Sequence, residues 1–279
     1  ILMNSFFGAM ASPMSRFFNM DIGNAITYFA QHFNKETARQ IQKRGYEVIY
    51  SDTDSVFVNP KVKTQKEAEE IGKKLEKEIN KFFDKEIKQK YKVKSFLELE
   101  YEKCFTRFLM PKLRHSEKGA KKRYAGLIKG EIEFTGLEAV RGDWTEAAKE
   151  FQQEILDRIF HKKEIAPFVK KYVEDIKAGK KDQLLVYRKQ LRKGIEGYAV
   201  NPPHLKAAKK LKILESNLIE YVITTDGPEP IQNQKHKIDY DHYIDKQIKP
   251  IANTVLEFFD LNFDELLEGK KQKSLFDFK

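Results

Sequence analysis

The sequence is poor in cysteine and has no long hydrophobic run. Cys104 is its single cysteine, so no intramolecular disulfide can form and a reducing compartment is expected. No stretch comes near the roughly 18 uninterrupted apolar residues of a membrane helix, and no basic segment followed by an apolar stretch and a cleavage site is present. Internal repeats and low-complexity segments are also missing. These absences predict a cytoplasmic globular protein rather than a membrane or secreted one.

Charged residues, in contrast, are plentiful. The 279 residues include 34% charged and 41% hydrophobic side chains, which is ordinary for a folded soluble protein and leaves room for one large or two modest cores. The net charge is +10 and the pI about 9.3. This excess favours a polyanionic partner such as a nucleic acid, although a basic protein that is merely soluble has the same composition.

Residues 46–58 predict a β-hairpin with two acids at its tip. Two β-favouring runs flank a polar centre in which Asp52 and Asp54 are one residue apart. A turn between them can bring both carboxylates to one edge, where they supply the few protein oxygens that Mg²⁺ usually takes. The alternative is a polar hairpin tip in which aspartate serves only as a turn former.

Helical periodicity surrounds this hairpin. The apolar spacing after Asp21 predicts a helix that Asp21 caps and that ends before Gly45. A second helix is predicted over residues 65–90, with an apolar face formed by Ala68, Ile71, Leu75, Ile79, Phe82 and Ile87.

Residues 97–102 alternate between apolar and acidic side chains, which predicts a strand with one acidic face. Glu100 on that face is a candidate for approaching a cation. Ion pairs between these acids and lysines of the second helix are the alternative.

The remaining chain is predicted to change from strands to helices. Residues 105–110 and 123–128 predict a strand pair, and Asp143 to Glu146 has the form of a helix cap. A short strand is expected at 219–224, and a helix at 240–259 that Pro250 bends. Between Leu184 and Lys212 basic residues greatly outnumber acids, a composition suited either to DNA phosphates or to a solvated surface.

Three segments resemble motifs of a known family. In chain order they are Asn4-Ser5-Phe6-Phe7-Gly8, the hairpin with its two aspartates, and Lys121-Lys122-Arg123-Tyr124. They resemble the end of the fingers motif and two palm motifs of family B DNA polymerases. Longer strings resemble bacterial members of that family, namely Glu98-Leu-Glu-Tyr-Glu102, Arg107-Phe-Leu-Met-Pro111, Leu185-Val-Tyr-Arg-Lys189, Asn201-Pro-Pro-His204 and Thr224-Thr-Asp-Gly-Pro-Glu-Pro230.

The resemblance covers nearly the whole chain and implies an α+β fold. An antiparallel-sheet polymerase palm covered by helices would be followed by a mainly helical thumb. Residues 1–12 would end the fingers helix, 13–142 would form the palm with its catalytic hairpin at 46–58, 143–269 the thumb, and 270–279 a clamp-binding tail.

The resemblance also implies the site residues. Asp52 and Asp54 would be catalytic and would bind two Mg²⁺ ions, for which Mn²⁺ can substitute. Deoxynucleoside triphosphates would contact Asn4, Ser5, Phe7 and Gly8, although the family commonly has Tyr where Phe7 stands. Primer-template DNA would contact Lys121, Lys122, Arg123, Tyr124, Arg188, Lys189 and Arg192. A sliding clamp would bind Gln272, Leu275, Phe276 and Phe278.

Two family features are not in the sequence. The lysine that precedes the Ile-Leu-Met segment and the other palm motif with its metal-binding aspartate both lie upstream in the family. We therefore expect an upstream polymerase fragment or subunit to complete the enzyme. The alternative is a non-catalytic module that binds duplex DNA and the clamp. A basic RNA-binding scaffold has no supporting signature.

Overall fold

The computed structural model describes residues 2–112, 119–214 and 216–268, without the side chains of residues 2–4. It divides into two compact units, Ile1–Thr106 and Arg107–Lys279, called unit 1 and unit 2. Helices combine with three small sheets in which all described strand pairs are antiparallel, so the predicted α+β class is confirmed. No helix among the described residues is long and apolar enough to cross a membrane.

The described residues of unit 1 form three helices and one hairpin. They are α1 (Leu2–Ala11), α2 (Met20–Lys43), β1 (Glu47–Asp52), β2 (Ser55–Asn59) and α3 (Gln65–Tyr91). The predicted cap of α2 is wrong: Asn19 has the extended backbone of a cap and accepts a hydrogen bond from the Ile22 N–H, whereas Asp21 lies inside the first turn. Gly45 follows the helix with φ +85°, which confirms its predicted place.

The core of unit 1 lies between α2, α3 and the hairpin. Thr64 and Glu67 form a capping box that starts α3. The buried face of α3 packs against the hairpin and against Ile41 of α2; its buried residues are Leu75, Ile79, Phe83 and Ile87. Phe83 is fully buried, whereas the predicted Phe82 is only partly covered.

The predicted strand at 97–102 is wrong as a strand. Its alternation of burial is present, but among the described residues this segment joins no sheet. Side chains of α3 hold its backbone instead: Asn80 donates to the Leu99 carbonyl and accepts from the Leu99 N–H, both at 2.8 Å. Glu76 accepts from the Tyr101 N–H at 2.8 Å. The alternation of apolar and acidic residues therefore reflects an extended segment with one covered face. It does not reflect pairing with another strand.

Unit 2 begins with the sheet β3 (Arg107–Leu109), β4 (Tyr124–Ile128) and β5 (Glu131–Thr135). The pairing of β3 with β4 confirms the predicted strand pair. β5 was not predicted. It pairs with β4 through a two-residue turn in which Lys129 and Gly130 both have positive φ, the turn type that favours tight hairpins.

Helices cover this sheet and form the largest core. α4 (Glu146–Phe160) begins at Thr145, whose side chain accepts from the Ala148 N–H, and α5 (Ala166–Lys177) follows. Farther along the chain lie α7 (Tyr240–Tyr243), α8 (Lys249–Leu256) and α9 (Phe263–Glu268). A π-helical segment at Ile244–Ile248 precedes α8. Pro250 lies in the first turn of α8, where a missing backbone N–H is tolerated.

A second, smaller core in unit 2 lies under an antiparallel sheet of β6 (Tyr187–Gln190), β7 (Leu218–Thr224) and β8 (Gly227–Pro230). α6 (Pro203–Lys209) packs on this sheet through Leu205, Ala207 and Ala208. The predicted strand at 219–224 is β7, whereas β6 was not predicted. Its residues after Tyr187 are exposed and polar, so no hydrophobic alternation marks them.

Candidate functional site

The two aspartates lie at the tip of the hairpin in unit 1. Asp52 is the last residue of β1 and pairs with Ser55, so Thr53 and Asp54 form a two-residue turn. Thr53 has φ +20° and donates a hydrogen bond from its hydroxyl to Asp52 Oδ1 at 3.2 Å. Asp52 is half-buried and Asp54 is exposed. The turn therefore presents Asp54 to solvent and keeps Asp52 at the edge of the sheet. The predicted hairpin is present, and the approach of both carboxylates to one cation stays a prediction.

Asn34 of α2 holds this tip in place. Its Nδ2 donates to the carbonyls of Asp52 and Ser55 at 3.2 and 3.3 Å, and its Oδ1 accepts from the Ser51 hydroxyl. One side chain thus joins the helix to both ends of the turn. Sequence reasoning missed Asn34, although an asparagine inside a helix is a signal because it has low helix propensity.

Aromatic residues support the hairpin below its tip. Tyr50 of β1 and Phe57 of β2 are directly opposite, with ring centroids 5.3 Å apart, and Phe57 stacks on Phe105 at 6.3 Å. The register shifts between Val48 and Tyr50, so Ile49 forms a bulge and is about half exposed. The bulge and the stacked rings fix which way the final residues of β1 point.

The predicted nucleotide-contacting residues are on α1. Ser5, Phe7 and Gly8 are exposed there, and the neighbouring Phe6 is 60% exposed. A Cβ atom added at Gly8 would have no heavy atom within 4 Å. Asn4 belongs to α1, but its side chain lies outside the described part of the structure. This exposed apolar face agrees with a segment that faces a ligand, and its role stays a prediction.

The predicted DNA-contacting motif leads into β4 in unit 2. Lys121 and Lys122 are exposed, whereas the guanidinium of Arg123 pairs with Glu138. Glu138 also accepts from Gln152 Nε2 at 2.7 Å, and Gln152 Oε1 accepts from the Ala139 N–H at 2.6 Å. Glu138 and Gln152 are buried, so this network fixes Arg123 from within the core.

Two further contacts position the same motif. Tyr124 packs against Phe108 of β3, with ring centroids 5.4 Å apart. Gly136 has φ +61°, and a Cβ there would lie 1.9 Å from the Lys122 carbonyl oxygen. Sequence reasoning missed Glu138, Gln152 and Gly136, because their partners come from segments more than ten residues away in the chain.

The other predicted DNA contacts lie on and next to β6. Arg188, Lys189 and Arg192 are exposed, and Arg188 Nε is 2.7 Å from Glu220 Oε1 on β7. His204 of α6 lies nearby; its burial and the charge of Lys189 lower its pKa. Deprotonated His204 therefore adds little positive charge at neutral pH, and the basic character of this surface comes from arginine and lysine.

One cluster in the described part of unit 2 has the composition of a metal site. Ligand atoms of Asp226, Glu229 and His236 lie within 4.8 Å of one another. Lys210 Nζ, however, is 3.4 Å from Asp226 and 3.5 Å from Glu229. Burial would raise the pKa of Glu229, but hydrogen bonds from the Lys235 and His236 N–H groups and the His236 ring lower it to about 2. A lysine ammonium thus balances this charge, which is the pattern of a structural ion-pair network.

Two other predictions are less informative. Glu100 is exposed, and among the described residues it makes no ion pair with the lysines of α3. Gln272, Leu275, Phe276 and Phe278 lie outside the described residues. The cation role of Glu100 and the clamp-binding role of the tail both stay predictions.

Comparison with known proteins decides the family. A family model described as DNA polymerase family B matches residues 1–258. The chain belongs to DNA polymerase family B. This confirms the resemblance inferred from the fingers and palm motifs.

Family B relatives match the chain over nearly its whole length. The chain is 40% identical to "DNA polymerase II" of Escherichia coli, over 97% of this chain and 36% of that protein. It is 29% identical to "DNA polymerase 2" of Aeropyrum pernix, over 100% of this chain and 34% of that protein. The chain thus spans about a third of the length of these curated relatives.

A solved family B structure has a similar fold. The family B DNA polymerase of the hyperthermophilic archaeon Pyrobaculum calidifontis matches 93% of this chain and 33% of its own chain, with a TM-score of 0.61 and 27% sequence identity. The antiparallel sheets and covering helices of the present family B chain therefore belong to a known polymerase fold.

Proposed function

We propose that this chain is the fingers-end, palm and thumb portion of a DNA-directed DNA polymerase. The enzyme would add deoxynucleotides to a primer 3′-hydroxyl as directed by a template, in DNA replication or repair. The observation that supports this most strongly is the hairpin tip, where Asn34 holds the turn that presents Asp52 and Asp54. Because the chain belongs to family B, we assign the binding of the catalytic metal ions to that turn.

The donor set at this tip fits Mg²⁺, with Mn²⁺ as a substitute. Both side chains are carboxylates, and exposed Asp54 makes no ion pair with a basic group among the described residues. Two carboxylates leave most of an octahedral shell for water, substrate phosphates and a ligand from elsewhere. Two bound ions would supply charge neutralisation at the primer oxygen and at the pyrophosphate. Asp54 would bind metal directly, and Asp52 would assist it.

We assign each substrate and partner to one of the proposed domains. Residues 1–12 would end the fingers and contact the incoming nucleotide through Asn4, Ser5, Phe7 and Gly8. The palm would span 13–142 and hold primer and template through Lys121, Lys122 and Arg123. The thumb, 143–269, would grip duplex DNA through Arg188, Lys189 and Arg192. The tail, 270–279, would bind a sliding clamp, and the enzyme would work in the cytoplasm at the nucleoid.

Loss of Asp54 tests the catalytic assignment. In the complete polymerase, Asp54→Asn keeps the side-chain shape but removes the charge that binds metal, so primer extension should fall by about three orders of magnitude or more. Binding of primer-template DNA, measured by fluorescence anisotropy, should stay within a few-fold.

Asp84→Asn is the matched control, because Asp84 is an exposed aspartate of α3 in the same unit. It should extend primers at the normal rate. Normal incorporation by Asp54→Asn would reject the proposed role.

The second candidate is a module that binds duplex DNA without chemistry. The exposed basic residues on β6 support it, because they can contact phosphates whether or not a complete catalytic site is present. Primer extension by the chain with and without an added upstream polymerase part separates the two. Synthesis that requires the added part favours the polymerase, and binding without synthesis in either mixture favours the module.

A further inference from the structure

The β6–α6 loop, residues 191–202, takes one of the candidate DNA-contacting residues out of the sheet. At its start the N–H of the buried Leu191 still donates to the Asn217 carbonyl, at 2.7 Å. Arg192 is the first residue beyond this contact, and among the described residues its N–H donates to no backbone carbonyl. Arg192 and Lys193 are both exposed. Something other than strand pairing must therefore fix the backbone at Arg192.

The side chain of Tyr198 makes the missing contact. Its hydroxyl oxygen accepts a hydrogen bond from the Arg192 N–H at 2.8 Å. Between the two residues the Gly197 N–H donates to the Gly194 carbonyl at 2.9 Å and closes a single 3₁₀ turn. The tyrosine hydroxyl thus joins the two ends of this turn and sets the course of the backbone at Arg192.

Tyr198 is in turn held by α6. Its ring meets the ring of His204 edge to face, with centroids 6.0 Å apart. His204 lies in the first turn of α6, where the Pro202 carbonyl accepts from the N–H groups of Leu205 and Lys206, both at 3.0 Å. Leu205 is buried in the smaller core of unit 2, against which Tyr198 also packs. A core-anchored helix therefore fixes the tyrosine that fixes Arg192.

The charges of the loop suit a phosphate ligand. Neither Arg192 nor Lys193 forms an ion pair with another described residue, whereas Arg188 on β6 pairs with Glu220. Glu196 is the one acid among residues 191–202, and it is exposed. A cation without a protein partner gains most from a phosphate, because binding releases a counterion and breaks no internal pair. Arg192 is thus the better placed of the two arginines for a strong phosphate contact.

We propose that Tyr198 is a positioning residue for DNA binding, whose hydroxyl holds the backbone of Arg192 so that the guanidinium meets a phosphate of the duplex. Without the hydroxyl the Arg192 N–H turns to water, and the loop must be ordered again each time DNA binds, at an entropic cost. The inference rests on the proposed function, because it takes duplex DNA as the ligand of this surface.

Tyr198→Phe in the complete polymerase tests the role of the hydroxyl. Phenylalanine keeps the ring beside His204, so far-UV circular dichroism should match the unmodified enzyme. Affinity for primer-template DNA, measured by fluorescence anisotropy, should fall by about 5- to 10-fold at low salt. The slope of log affinity against log salt should become shallower by about 0.9, the value for one lost phosphate contact. A loss of folded protein alone would weaken binding equally at every salt concentration and leave the slope unchanged.

Tyr240→Phe is the matched control. Tyr240 is also a half-buried tyrosine of unit 2, but its hydroxyl donates to Asp182 at 3.2 Å and makes no contact with the β6–α6 loop. This variant should bind DNA within about twofold of the unmodified enzyme, with the same salt slope.

A double-mutant cycle connects the hydroxyl to Arg192. Arg192→Gln removes the charge itself and should give the same change in salt slope as Tyr198→Phe. In the Arg192→Gln background, Tyr198→Phe should weaken DNA binding by less than about twofold, because the group that it positions is already gone.

Three outcomes would overturn the proposal. They are a Tyr198→Phe variant with normal DNA affinity, one with weaker binding but an unchanged salt slope, and full additivity of the two substitutions. Primer extension separates this proposal from the proposed function. With saturating DNA, Tyr198→Phe should extend primers within about twofold of the normal rate. A complete polymerase that binds DNA but extends no primer would contradict the proposed function, and the salt slopes would still decide the role of Tyr198.

Discussion

The two units of the chain differ in how completely they cover their apolar residues. In unit 2, α4, α5 and α8 bury each other, and Phe151, Ile155, Val169 and Ala252 are all fully inaccessible. In unit 1 only the last part of the apolar face of α2 is covered, and Ile26 remains 37% exposed. Burial of apolar area is the main source of stability, so unit 2 has the larger stabilising core.

This difference concerns function as well as stability. The candidate catalytic aspartates belong to the unit with the open core, whereas the candidate DNA-contacting residues of unit 2 are held by a closed core and a buried polar network. A site on a partly covered scaffold depends on whatever covers that scaffold.

The largest expected effect comes from Phe151→Ala in unit 2. Phe151 is fully buried against Phe168 and Tyr172, so its truncation leaves a cavity and should cost about 3–5 kcal/mol of unfolding free energy. Trp144, the single tryptophan, packs against the same core, so its fluorescence in a urea titration reports on unit 2. Phe258 is 43% exposed, so Phe258→Ala should change the free energy of unfolding by less than about 0.5 kcal/mol.

The inference that unit 2 is more stable than unit 1 would be contradicted if circular dichroism and Trp144 fluorescence gave one coincident transition in the unmodified chain. We expect far-UV circular dichroism, which reports on both units, to begin its transition at lower urea than fluorescence. A Phe151→Ala variant whose circular dichroism shows a single transition, coincident with its fluorescence transition, would show that the two units unfold as one.

Sequence periodicity predicted the elements that bury one regular face. α2 and α3 were found this way, because their apolar residues recur at the spacing of a helix. The position of Asp52 and Asp54 at a hairpin turn was also predictable, because Asp-Thr-Asp lies between two β-favouring runs. The hairpin needed only local information.

The remaining features depend on partners that are distant in the chain. Residues 97–102 have the alternation of a strand, yet Asn80 and Glu76 of α3 take the hydrogen bonds that a neighbouring strand would have made. β6 has polar exposed residues and is defined by its pairing with β7. Asn34, Glu138 and Gln152 support candidate site residues from other elements, and no local pattern specifies such contacts.

A smaller effect is expected from a pair of glycines in unit 2. Gly136 and Gly130 both have positive φ, but only at Gly136 would a Cβ strike backbone, the Lys122 carbonyl oxygen at 1.9 Å. Gly130→Ala should therefore cost about 1–2 kcal/mol for its backbone conformation, and Gly136→Ala about 1–3 kcal/mol more for the clash. Both are measured by Trp144 fluorescence in urea.

The same pair of variants tests whether unit 2 fixes the position of its candidate DNA-contacting motif. The Gly136→Ala substitution should displace the backbone of Lys122. A complete polymerase that carries Gly136→Ala should therefore bind primer-template DNA more weakly than one that carries Gly130→Ala. Equal DNA affinity for the two variants would show that the position of Lys122 does not matter for binding.

The smallest expected effect is at the hairpin support in unit 1. Asn34→Ala removes two donated hydrogen bonds and one accepted from Ser51, but the turn is near solvent and water can replace part of them. We expect a loss of about 1 kcal/mol in unit 1, followed by far-UV circular dichroism, and no change in Trp144 fluorescence. Asn24→Ala is the matched control, an exposed asparagine on the same helix.

Activity distinguishes a positioning role of Asn34 from a merely stabilising one. If Asn34 sets the geometry of the turn, Asn34→Ala in the complete polymerase should need more Mg²⁺ for half-maximal primer extension, because the carboxylates are held less firmly for metal binding. A variant that only loses stability would keep the Mg²⁺ dependence of the unmodified enzyme at low temperature, where unit 1 is folded.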